Sequence, residues 1–168
     1  MVKLIKDSGE RREFSTGAVR DISDDKGRCD LLPLDVVAEF LGGYADEEHL
    51  DQVLNCIDSF VSTGNPGFLC DALDAFLDLR GWREETMLLE LAKHMADGAK
   101  KYGPYNWQRG IPAHCYIDSG VRHYLKWRRG DEDEPHDRAF AWNVVCCWWT
   151  CKHKPELCDV PWDKEENK

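Results

Sequence analysis

Glu134 and Asp137 stand three residues apart where an apolar helix should begin, a spacing at which two carboxylates can share one hard cation. A second set of ligand-type side chains, Glu90, His94, Asp97 and Lys101, recurs at intervals of four, three and four residues, which places all four on one stripe of a helix. The stripe runs into GAKKYGPYNWQRGIP, residues 98–112, where lysines, an arginine, three aromatic rings and an asparagine are held between glycine and proline turns. Lys101 and Arg109 there are candidate phosphate ligands. Asn106, with donor and acceptor on one amide, and Trp107, with a flat face, are candidates to orient a base or close the loop. Asp118 and Arg122 lie one helical turn apart and could serve a metal and a phosphate, or simply pair with each other. His136 and Asn143 share a helical face with Phe140 and Cys147. A buried amide without a partner costs about 1–3 kcal/mol, so that face should meet other polar groups. His123 points away from Asp118 and Arg122 and reads as a packed core histidine.

Each pattern also has a plainer explanation. The stripe could be a solvated face laced with ion pairs. The lysines could compensate a helix dipole, and the acids of residues 131–137 could be an exposed helix N-terminus, which dipoles favour.

The elements that must position these groups are helical. LDVVAEFL after Pro33 has helical spacing and stops at Gly42-Gly43; DEEHLDQVLNCIDSFVSTG is amphipathic, with Asp46 a plausible cap. NPGFLCDALDAFLDLRG, REETMLLELAKHMADGAKKYG, CYIDSGVRHYLKWRRG and DEPHDRAFAWNVVCCWWTCK supply four more helices, the last with a proline where its first turn should be. No segment sustains two-residue alternation. The expected fold is an all-α helical bundle of about five or six helices with an extended N-terminal arm. Residues 1–168 read as a single domain: an arm to residue 30, a helical segment 34–82, a motif-bearing core 83–151 and a tail from 152.

The bulk numbers narrow the function. A chain of 168 residues can bury one proper core. A formal charge of −10 argues against a nucleic acid polymer, which needs a broad basic face, but not against a nucleotide, for which a local cationic pocket suffices. No apolar run is long enough for a membrane span. The opening MVKLIKDSGERREF has no long apolar stretch, so no secretion signal is expected. The eight cysteines are scattered, with no CxxC pair, and fit buried thiols of a cytoplasmic protein. A zinc site at Cys147, Cys151, His153 and Cys158 matches no standard spacing.

Four words of the chain, KGRCDLLP (26–33), GAKKYGPYNWQRGIP (98–112), YIDSGVRHYLKW (116–127) and GDEDEPHDRAFAWN (130–143), resemble the phage-associated dATP/dGTP diphosphohydrolase family, which is MazZ-like and related to the all-α MazG-type nucleotide pyrophosphohydrolases. The resemblance covers residues 14–33 and 83–150; residues 34–82 look like an insertion relative to shorter members. It implies hydrolysis of a purine (deoxy)nucleoside triphosphate to monophosphate and pyrophosphate. It also implies Mg²⁺ or Mn²⁺ held by helix carboxylates, a homo-oligomer, and a host-cytoplasmic location if the gene is a phage's. MazG relatives carry ExxE on one helix and ExxD on the next. Glu134 and Asp137 have the letters of the second element, and Glu90, His94 and Asp97 are the nearest substitute for the first.

On that basis Glu90, Asp97, Glu134 and Asp137 are the expected catalytic metal ligands, with Asp118 a further one. Lys101, Arg109 and Arg122 are expected on the polyphosphate, Asn106 and Trp107 on the base, and His136 and Asn143 behind the ligands. Lys26, Arg28 and Asp30 could reach the same site from the arm. The alternatives are a protein that binds a nucleotide without cleaving it, as a sensor or sequestering protein, and an interaction scaffold using the tryptophans of residues 142–149.

Overall fold

The computed structural model describes residues 9–22, 27–42 and 51–161. Six α-helices account for most of them: α1 (Leu34–Gly42), α2 (Gln52–Thr63), α3 (Gly67–Arg80), α4 (Glu84–Tyr102), α5 (Ala113–Arg129) and α6 (His136–His153). The all-α expectation holds. Two strands of three residues each, β1 (Arg11–Glu13) and β2 (Val19–Asp21), pair antiparallel within the N-terminal arm, so the arm is a small ribbon. Strands this short leave no alternation to read.

Local chemistry sets the helix ends. Asp51 caps α2 by accepting a hydrogen bond from the Leu54 amide at 3.1 Å. The expected cap, Asp46, lies outside the described residues. Two glutamates open α4 and two lysines close it, in the sense the helix dipole favours. Pro135 immediately precedes α6, where a missing N–H is harmless. Gly130, at φ 85°, ends α5 in the left-handed conformation and starts the turn into α6.

The α5–α6 hairpin is the spine. It packs closely at Gly120, where an added Cβ would come into van der Waals contact with the Asn143 Cβ at 3.4 Å. On its far side α2 and α3 deliver Phe60, Leu69 and Phe76, all fully buried. Phe76 sits in a nest of rings, 4.7 Å from Phe140, 5.1 Å from Trp127 and 6.3 Å from Tyr124 between centroids. Asp51 extends the same contact with polar bonds, accepting from the Tyr124 hydroxyl at 2.7 Å and from Arg128.

α4 covers the other side of α6. Its buried residues are Met87, Leu91 and His94, whereas Leu88 and Leu89 are exposed. The charged stripe therefore faces inward. The reason is Arg138 of α6, a buried guanidinium that draws Asp97 to 3.1 Å and Glu90 to 4.0 Å. Among the described residues no helix is long and apolar enough to cross a membrane.

Candidate active site

At the α5–α6 turn three ligand-type side chains come together. His123 projects from α5, His136 opens α6, and Glu134 lies in the turn between them. Their ligand atoms all fall within 4.8 Å of one another. The two Nδ1 atoms are 2.9 Å apart, and Glu134 Oε1 stands 3.8 Å from that of His123 and 3.7 Å from that of His136. Asp133 holds the far side of the His136 ring, 2.8 Å from Nε2, and is itself 3.5 Å from Lys126. With Nε2–H donated to Asp133, His136 turns a lone pair on Nδ1 toward His123. Two imidazole nitrogens so close need a positive centre between or beside them, a proton or a metal ion. Burial first, then His136, His94 and nearby arginines, hold the His123 pKa well below the usual histidine value. Neutral imidazole is the form that ligates metal, and a carboxylate behind a ligating histidine fixes its ring and raises its basicity. These residues fit a divalent cation, with His123, Glu134 and His136 as ligands.

A strip of buried polar groups continues inward. The His94 ring lies 5.6 Å from that of Trp142, and its Nδ1 is buried without a hydrogen-bond partner. Burial first, then the Arg138 charge, hold His94 neutral, its pKa down to about 4. Asn143 donates to the Ala139 carbonyl and accepts from Arg20 at 2.9 Å; Arg20 also donates to the Cys115 carbonyl at 2.9 Å. The buried-amide argument thus finds its partner in the N-terminal ribbon.

The structure does not gather the predicted carboxylates around one point. Glu134 alone joins the histidine cluster. Asp137, in the first turn of α6, pairs with Arg80 of α3 at 3.2 Å. Glu90 and Asp97 flank Arg138, with Lys93 and Lys100 on their outer sides. Asp118 accepts from Arg122 and from the Cys29 amide at 2.7 Å. Glu134 and Asp137 diverge because Pro135 keeps Glu134 out of the helix, which defeats the one-face spacing.

The predicted phosphate and base contacts are also engaged. Lys101 reaches Asp21 at 2.6 Å, beside the Tyr102 hydroxyl at 2.8 Å. Arg109 donates to the Gly17 carbonyl and Arg122 to the Gly27 carbonyl, each at 2.9 Å. Asn106 is buried and clamps β2, accepting from the Val19 amide at 3.0 Å and donating to its carbonyl at 2.9 Å. Asn106 and Trp107 nevertheless line a mostly apolar groove of about 360 Å³, shared with Tyr102, Tyr105 and Trp142. Tyr105 at its rim is exposed and holds φ 59°, an uncommon conformation for a side chain that large. Trp107 packs edge-on against Trp149, 5.0 Å away.

Of the arm residues, Arg28 pairs with Asp30 and Lys26 lies outside the described residues. Cys147, Cys151 and Cys158 do approach one another, with the Cys151 and Cys158 sulfurs 2.6 Å apart, while His153 instead stacks on Trp149.

Spacing alone does not mark His123 and Asp133, although a histidine eleven residues before Glu134 and a dense acidic run both stand in the sequence. Nor does it mark Arg20 and Arg138. Arg20 carries no local signal, since only tertiary docking brings it to Asn143.

Residues 83–160 match the family described as dATP/dGTP diphosphohydrolase, N-terminal. The match supports the family resemblance drawn from the sequence words and takes in α4, α5, α6 and the whole histidine cluster. No curated protein and no solved structure matches the chain.

Proposed function

We propose that the protein is a metal-dependent diphosphohydrolase that splits purine (deoxy)nucleoside triphosphates between the α- and β-phosphates. The observation that carries this is the convergence of His123, Glu134 and His136 inside the matched segment. A divalent cation bound there would supply phosphate-oxygen binding and a water acidified for attack on the α-phosphorus. The remaining work belongs to the chain. Asp133 orients His136, and Arg20 and Arg138 place fixed positive charge along the strip. The aromatic groove beside Trp107 and Tyr105 accepts the base by stacking. Glu90 and Asp97 are positioning residues that hold Arg138 rather than ligands, and Asp118 does the same for Arg122. Two imidazoles among three ligands suit a later first-row transition ion better than Mg²⁺, and Mn²⁺ shares the preference of Mg²⁺ for carboxylate and water oxygens. A homo-oligomer belongs to the same proposal and is tested by light scattering.

The decisive assay uses protein stripped with EDTA, resupplied with Mn²⁺ or Mg²⁺, and incubated with dGTP or dATP. Monophosphate and pyrophosphate in equal amounts are expected. Release of single phosphate would mean a different reaction. Recovery of intact nucleotide with measurable binding would favour a sensor or sequestering protein.

A further inference from the structure

The ribbon register sets Arg12 directly opposite Arg20. Like charges at opposed positions of an antiparallel pair destabilise it, and this ladder has only three residues per strand to absorb the cost. Both arginines line one cleft between the ribbon and α5, together with Arg28, Asp118 and Ser119. The nearby carboxylates are already committed. Asp21 is held by Lys101, Tyr102 and Arg11, Asp30 by Arg28, and Asp118 by Arg122. Arg20 is fixed by two neutral oxygens, and a guanidinium has five N–H donors, so it has donors to spare. Arg12 lies over the Phe14 ring at 4.8 Å. Among the described residues, neither Arg12 nor Arg20 is paired with a carboxylate. Arg20 anchors the ribbon through those two bonds, but in a chain of net charge −10 no carboxylate among the described residues neutralises either arginine of the opposed pair.

We propose that this cleft binds a polyphosphate anion, clamped between Arg12 and Arg20 with Arg28 and the Ser119 hydroxyl beside them. Guanidinium forks match phosphate oxygens in pairs. Several forks around one cleft suit an anion with more than one phosphate. The site lies close to the candidate metal centre, because Ser119 is one helical turn from His123 on α5. In identifying the anion as a nucleotide tail or the pyrophosphate released from it, the proposal rests on the hydrolase assignment above. Its three arginines lie outside residues 83–160, so the site is built by the arm against the matched segment.

Inorganic pyrophosphate is the probe, titrated calorimetrically and by thermal shift in EDTA, where no catalysis is possible. Binding that weakens with added salt and a raised Tm are expected for the wild type. Arg12→Gln should weaken binding about tenfold, the loss of one charge-assisted contact. The ligand-free Tm of that variant should equal or exceed the wild type, since a repulsive pair has been removed; an arginine with a purely structural role would lower it. Absence of pyrophosphate binding, or unchanged binding in Arg12→Gln, overturns the proposal. If dGTP loses affinity by the same factor, the occupant is the nucleotide tail; if only pyrophosphate does, it is the free anion. His123→Ala should bind pyrophosphate like the wild type. An inactive protein with Arg12-dependent binding would therefore end the hydrolase assignment alone, and an active enzyme indifferent to Arg12 would end this one alone.

Discussion

At the scale of single residues, the candidate metal centre makes sharp demands. His123→Ala or Glu134→Ala should reduce dGTP hydrolysis at least about 100-fold with the helical circular dichroism unchanged, and Asp133→Asn by about 10- to 100-fold, because it only orients His136. Asp137→Ala should leave the catalytic rate within a few-fold, since its partner is Arg80; a collapse of kcat would return Asp137 to the ligand set. His94 gives a prediction of another kind. Its pKa lies near 4 in the folded protein, against an ordinary value of 6.5, because burial and the Arg138 charge oppose protonation while Asp97 only partly offsets them. The unfolded chain then binds the extra proton first as pH falls. Stability attributable to His94 is full above pH 6.5, declines between 6.5 and 4, and is lost below that, a change of at most about 3 kcal/mol. Urea midpoints of wild type and His94→Leu across that window should show a smaller pH dependence in the variant.

At the scale of elements, two polar side chains fasten pieces that the apolar pattern leaves loose. Asp51 caps α2 and also accepts from Tyr124 and Arg128, so Asp51→Ala removes the cap and strands two partners of α5. A loss of about 2–4 kcal/mol in the urea-derived stability is expected, with Asp51→Asn milder because an amide oxygen can still cap. Asn106→Ala should release β2, seen as faster hydrogen exchange at Val19 with α5 and α6 unaffected. The helices themselves were legible, because three-and-four spacing and terminal Asp, Gly and Pro residues are local signals. Which face of α4 turns inward was not. Leu88 and Leu89 stay exposed while Arg138, more than forty positions away, holds the charged stripe inward. The ribbon was equally hidden, since its ladder is three residues long and its anchors are distant side chains.

At the scale of the whole molecule, the legible part of the site was its neighbourhood rather than its membership. The words around residues 98–112 and 130–143 contain the loop that lines the aromatic groove and the turn where Glu134 and His136 meet His123. Pro135 breaks the periodicity that would pair Asp137 with Glu134, and a lone histidine such as His123 has no distinguishing spacing on a helix. Convergence depends on how α4, α5 and α6 are packed, and no single stretch encodes that. The Phe76 nest carries a practical corollary. Three of the rings around it, Tyr124, Trp127 and Phe140, lie within residues 83–160, yet Phe76 itself and its neighbour Trp82 are supplied from outside them. A gene fragment trimmed to the recognisable stretch would bare a greasy wall and precipitate, so the portion that can be spotted in a genome is smaller than the portion that can be transplanted.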